Sequence, residues 1–114
     1  MILLTGATGY IASHTWLALE AGGFAVAGID DFSNSSPEVL RRLAALGADV
    51  SQFVRADVRD RAALDALFER GRIDAVVHFA ASKAVGESVA EPLKYYANNV
   101  GGLISIAEAM QAHG

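Results

Sequence analysis

The sequence predicts an α/β domain with a doubly wound parallel sheet. Three observations carry that prediction. Short, continuous apolar runs recur along the chain, as expected for strands buried on both faces. Segments with helical periodicity separate them, which argues for βαβ units. The first apolar run passes straight into a glycine-rich turn, a feature that with right-handed crossovers gives the spatial strand order 3-2-1-4.

The elements follow in order. Ile2-Leu3-Leu4 reads as a first strand ending in Thr5-Gly6. Tyr10, Ile11, Trp16, Leu17 and Leu19 mark a helix near residues 10–21, stopped by Gly22-Gly23. A second strand is predicted over 24–29, ending at Asp30-Asp31. Ser36-Pro37-Glu38 has the form of an N-cap with proline in the first turn, and Val39, Leu40, Leu43 and Leu46 supply an apolar face before Gly47. Residues 50–54 form a plausible third strand, ending before Asp57. Asp60 can cap a helix bearing Leu64, Leu67 and Phe68. A fourth strand is expected over 75–79, followed by a polar segment over 80–91. Pro92 can open a last helix to about residue 112, with Asn98-Asn99 and Gly101-Gly102 as points where it can break. Trp16 and the leucines around it are expected in the core. Arg41-Arg42 and Arg59-Asp60-Arg61 are expected on solvated helix faces.

Composition bounds the function. The chain has 114 residues, 53% hydrophobic and 19% charged, with mean hydropathy +0.31, enough apolar material for one core and too much for a disordered chain. A net charge of −4 offers no basic footprint for nucleic acid or an anionic membrane. The absence of cysteine excludes a disulfide scaffold and a thiolate-held metal. His14, His78 and His113 lack metal-like spacing, so no metal is expected. No run approaches the roughly 18 apolar residues of a spanning helix, and a soluble cytoplasmic protein is the expectation.

The sharpest motif is Thr5-Gly6-Ala7-Thr8-Gly9-Tyr10-Ile11-Ala12, between the first strand and the first helix. Gly6 suits a tight turn, Gly9 lets a pyrophosphate approach the main chain, and Ala12 takes the small packing position. Open N–H groups at the helix start favour phosphate. A tight βα turn with no ligand would show the same glycines. Asp30 adds a second signal. It ends the second strand about 20 residues after the turn, where a carboxylate can accept hydrogen bonds from the adenosine ribose and repel a 2′-phosphate, favouring NAD over NADP. Asp31 fits a loop or cap acid better. Asp57 and Val58 stand where adenine would lie, although an end-of-strand loop acid fits the spacing of Asp57 nearly as well.

Longer stretches are more specific. They are residues 5–15, Asp30-Asp31-Phe32-Ser33-Asn34-Ser35, Ala56-Asp57-Val58-Arg59, the run His78-Phe79-Ala80-Ala81-Ser82-Lys83-Ala84-Val85-Gly86-Glu87-Ser88-Val89, and Pro92-Leu93-Lys94-Tyr95-Tyr96-Ala97-Asn98-Asn99-Val100. Through them the whole chain resembles the N-terminal part of the UDP-glucose 4-epimerases, which are extended short-chain dehydrogenases/reductases with a Rossmann fold. The resemblance implies NAD as cofactor. The backbone near Tyr10 and Ile11 would hold the pyrophosphate. Asp30, Asp31, Asn34 and Ser35 would surround the ribose, and Asp57 and Val58 would meet adenine. Phe79, Ala80 and Ala81 would run beneath the cofactor, with Lys83 and Asn98 touching it. Lys83 and Val85 would also border the UDP-sugar substrate. Ala12 replaces a third glycine, Asp31 stands where asparagine is common, and Ala81-Ser82 replace a glycine and a larger residue. These departures leave the sugar preference open.

The resemblance further implies transient oxidation of the hexose at C4, with a tyrosine four residues before a lysine as general base and a nearby serine or threonine. Only Lys83 and Lys94 are present, and neither has such a tyrosine, so no residue of this chain is expected to be the catalytic base. The chain is therefore expected to be the N-terminal part of the NAD-binding domain, with catalytic elements beyond Gly114 and a homodimer when complete. Its fourth strand is expected to be an uncovered apolar edge, and its last helix to expose a face that further strands or a partner would cover. Other sugar-nucleotide enzymes (a dehydratase or decarboxylase), a stand-alone nucleotide-binding module, and a partner-binding domain with a vestigial site remain alternatives.

Overall fold

A computed structural model describes residues 1–33, 35–70, 72–80 and 92–113; between 92 and 100 it fixes the backbone and, of the side chains, Leu93. Among the described residues four strands and four helices alternate: β1 Ile2–Thr5, α1 Tyr10–Ala21, β2 Val26–Asp30, α2 Glu38–Ala45, β3 Phe53–Arg55, α3 Arg61–Arg70, β4 Ala75–His78 and α4 Pro92–His113. The strands form one sheet in the order β3-β2-β1-β4, every neighbour parallel. Thr5 lies level with Ile29 on one side and with His78 on the other. This is the doubly wound order that the glycine turn predicts.

Alternation along the strands sends consecutive residues to opposite faces. Leu4 and Val26 pack with Trp16 of α1 and Leu43 of α2. Leu3, Ala27 and Ile29 pack with Leu64 and Leu67 of α3 and with Ile106 and Ala109 of α4. Burying each valine, leucine or isoleucine among them contributes roughly 1.5–3 kcal/mol before the entropy of ordering it. Trp16 is fully buried, as expected, and it explains a glycine inside a strand. A Cβ at Gly28 would stand 2.6 Å from the indole Cζ3 and 2.8 Å from the Ala7 Cβ.

Several boundaries differ from the sequence expectation. β2 starts at Val26 rather than 24, and Phe24 is exposed, because the chain leaves α1 through Gly22-Gly23 before it reaches the sheet. β3 is only Phe53–Arg55, since pairing with β2 begins at Gly28 opposite Phe53. β4 ends at His78 rather than 79. The last helix is unbroken from Pro92 to His113. Its Gly101-Gly102 pair lets it lie on the turn that follows β3: a Cβ at Gly102 would come within 2.8 Å of the Val58 Cγ2.

The Asp60 cap falls where expected, whereas α2 starts at Glu38 with Pro37, not Ser36, at its cap position. The Ser36 hydroxyl accepts from the Glu38 N–H at 3.2 Å, and the Asp60 carboxylate accepts from the Ala63 N–H at 3.2 Å. The arginines are only partly as expected. Arg41 is exposed and meets only Glu38, 3.2 Å away. Arg59 instead folds back on Asp57, and Arg61 ties α3 to α4 by meeting Asp65 and Glu108, each at 3.0 Å. β4 is an outer strand of the described sheet, and α4 exposes Leu93, Leu103, Ile104 and Met110. No helix among the described residues is long and apolar enough to cross a membrane.

Candidate functional site

The strand order reverses between β1 and β4, and ligands of such sheets bind at that point, outside the carboxyl ends of the strands. Here the edge is assembled from the turn after β1, the end of β2 and the segment after β4. Gly6 has φ +64°, a left-handed conformation that favours glycine. A Cβ there would stand 2.8 Å from the Ala80 amide nitrogen, so glycine also lets the β4 segment close against the turn.

Thr5 fastens that segment. Its buried Oγ1 accepts from the N–H groups of Phe79 at 3.0 Å and Ala80 at 3.2 Å. With both lone pairs used, the hydroxyl proton goes to Nδ1 of His78, 2.6 Å away. Sequence reasoning gave Thr5 no such role; three groups converging on one hydroxyl are visible only once β1 and β4 pair.

α1 starts at Gly9 without any side-chain cap and with no acid in its first turn. The N–H groups of Tyr10, Ile11 and Ala12 have no acceptor among the described residues. A Cβ at Gly9 would meet only the Gly6 carbonyl oxygen, at 3.2 Å, so the main chain of the turn is approachable. Tyr10 and Ile11 point outward, 80% and 59% exposed, while Ala12 is buried in the packing position. Open amides, the positive end of a helix dipole and a bare turn suit a pyrophosphate. The residues present therefore fit the phosphate half of a dinucleotide.

Asp30 closes the turn from the end of β2. Its Oδ2 accepts from the Thr8 N–H at 3.1 Å and the Thr8 hydroxyl at 2.7 Å, and its Oδ1 accepts from the Phe32 N–H at 2.9 Å. The Thr8 hydroxyl also meets the hydroxyl of Ser35. Phe32 is left-handed with φ 62°, its ring 5.5 Å from Phe53 and beneath the Arg55 guanidinium at 5.2 Å. Asp31 accepts from the Ser33 N–H at 2.9 Å in a local turn, which fits its expected part as a loop acid.

Asp57 is engaged by Arg59, whose Nη2 lies 2.7 Å from Oδ2 and whose main-chain N–H donates to Oδ1 at 2.8 Å. These hydrogen bonds hold the Asp57 carboxyl below the ordinary aspartate range, and the same pairing raises Arg59 above its own. Val58 is buried beneath α4 rather than presented to solvent. Gly6, Gly9, Tyr10, Ile11, Asp30, Asp31, Ser35, Asp57, Phe79 and Ala80 thus all lie on the turns and strand ends at this edge. Asn34, Ala81, Lys83 and Val85, and the side chain of Asn98, lie outside the described residues.

Comparison with known proteins identifies the lineage. The family model for the NAD dependent epimerase/dehydratase family matches residues 2–114. The chain belongs to that family. Among members of the NAD dependent epimerase/dehydratase family, UDP-glucose 4-epimerase 2 of Oryza sativa subsp. japonica is 50% identical over 116 residues, covering 99% of this chain and 28% of that protein. UDP-glucose 4-epimerase of Bacillus subtilis is 48% identical, over 99% of this chain and 33% of its own length. The chain thus spans about a third of the curated relatives it matches. Among solved structures, the epimerase of Bifidobacterium longum in complex with NAD+ and UDP superposes with TM-score 0.94 at 42% identity, covering 98% of this chain and 33% of that one. The epimerase of Stenotrophomonas maltophila, with bound NAD and formylated UDP-arabinopyranose, gives TM-score 0.92 at 43% identity, over 99% and 34% of the two chains. These relatives carry the Rossmann fold expected from the glycine turn.

Proposed function

We propose that residues 1–114 are the N-terminal part of the NAD-binding domain of a UDP-glucose 4-epimerase, acting in galactose metabolism in the cytoplasm. The observation that carries the reading is the uncapped start of α1 beside Asp30, at the point where the strand order reverses. The kinship with NAD-bound epimerases supports the same reading. When bound, NAD supplies a reversible hydride acceptor for the C4 carbon of the hexose.

The chain's own residues bind and orient. The amides of Tyr10 and Ile11, with Gly6 and Gly9 below them, hold the pyrophosphate. Asp30, with Asp31, Asn34 and Ser35 around it, takes the adenosine ribose. Asp57 and Val58 border the adenine. Phe79, Ala80 and Ala81 form the floor, and Lys83 and Asn98 reach the cofactor from the following segment. Lys83 and Val85 border the UDP-sugar. The complete enzyme is proposed to be a homodimer. The sequence offers no tyrosine four positions before a lysine, so this chain alone is expected to bind NAD without epimerising sugar. That same feature favours a second reading, a stand-alone NAD-binding module without chemistry.

Calorimetric titration with NAD tests the proposal. The expected result is binding by the natural sequence and a loss of about tenfold in Asp30→Ala, the scale of a hydrogen bond to a charged group. A folded protein that ignores NAD would refute both readings. Epimerisation of UDP-galactose by the purified chain would refute the claim that the base lies outside it.

A further inference from the structure

Resting on the reading of Asp30 as the acid that faces the ribose, we infer that Thr8 is a positioning residue that sets the preference for a free 2′-hydroxyl over a 2′-phosphate. Thr8 is buried and gives both its N–H and its hydroxyl proton to the same oxygen, Oδ2 of Asp30, at 3.1 and 2.7 Å. Because that proton is spent on Asp30, the contact between the Thr8 and Ser35 hydroxyls requires Ser35 to donate. A directed chain therefore runs from the Ser35 hydroxyl through Thr8 to the carboxylate.

Phe32 holds the other oxygen from the opposite side at 2.9 Å. A carboxylate has about four acceptor positions. Three of those on Asp30 are filled from within the chain, two on Oδ2 and one on Oδ1. The one remaining lies on Oδ1, left for a ribose hydroxyl. No Lys or Arg pairs with Asp30 among the described residues, so its charge is left to repel a phosphate. Without the Thr8 hydroxyl, the carboxylate keeps one main-chain donor on each oxygen but loses its shortest bond, and it is held less firmly. It can then turn from the ribose, weakening the hydroxyl contact and easing the repulsion together.

The test is titration of NAD and NADP, separately, into the natural sequence, Thr8→Ser, Thr8→Val and Thr8→Ala, with thermal melting as the folding control. Thr8→Val is expected to weaken NAD by about tenfold, with NADP unchanged or tighter, so that the NAD:NADP preference shrinks; Thr8→Ser should keep it. If Thr8→Val fails to fold, Thr8→Ala carries the same expectation. In an Asp30→Asn background the Thr8 substitution should no longer move the ratio. Equal weakening of both cofactors would overturn the inference, because a damaged turn does that. So would an unchanged ratio in a protein that binds NAD, leaving the cofactor reading intact. A folded natural sequence that binds neither cofactor would overturn the cofactor reading and this inference with it.

Discussion

Thr5 concentrates more structural consequence in one side chain than any other residue of the turn. Replacing it with valine keeps shape but removes the acceptor of the part-buried Ala80 N–H and the hydroxyl that meets His78 Nδ1. An unsatisfied buried group costs about 1–3 kcal/mol. Thr5→Val should therefore lower stability by that amount in urea melts, and Thr5→Ser should recover most of it. Asp57 makes a different prediction. Its carboxyl is held low by Arg59, so the folded value lies below the unfolded one. The stability it contributes is complete above about pH 4 and is lost as the pH falls through the folded value. The pair is partly solvated, with side chains 43% and 32% exposed, so the effect is small. Asp57→Asn should make the acid limb of a stability–pH profile shallower; an unchanged limb between pH 4 and 2 would refute this.

At the scale of elements, two adjacent glycines of α4 make opposite predictions. Alanine in a helix interior is better than glycine by about 0.8–1 kcal/mol. At Gly101 the new Cβ meets only the flexible Arg59 side chain at 3.4 Å, so Gly101→Ala should stabilise. At Gly102 it meets the stiff, buried Val58 at 2.8 Å, so Gly102→Ala should destabilise, and adding Val58→Ala should relieve the clash. Chemical denaturation of the three variants decides it; equal effects at the two glycines would show that α4 does not rest on Val58 as described. The pair also shows why a break in this helix was a natural expectation. Two consecutive glycines lower helix propensity, and here Val58, from the turn after β3, packs beneath them.

The whole molecule carries one exposed liability. β4 is an outer strand of the described sheet, and α4 exposes Leu93, Leu103, Ile104 and Met110. An outer strand and exposed apolar side chains favour association. The purified chain is expected to show concentration-dependent sedimentation, and Leu103→Lys with Met110→Lys should shift it toward monomer. A natural sequence that sediments as a monomer at every concentration would contradict the prediction.

Periodicity and punctuation in the sequence determined much of this protein. Apolar runs with no alternation can be satisfied only by strands covered on both faces, and a glycine turn after the first of them sets the strand order. Asp30 and the bare start of α1 were legible for the same reason, since each rests on a local spacing. Long-range approach decided the rest. Gly28 looks like a flaw in a strand until Trp16 is packed against it. β3 is shorter than its apolar run because a strand exists only where a partner pairs with it. Arg61 reads as a solvated charge until α4 brings Glu108 beside it, and the two hydrogen bonds by which Thr8 grips Asp30 join residues from different strand ends. Such contacts depend on distances that folding creates between residues far apart in the chain, and no local pattern encodes a distance of that kind.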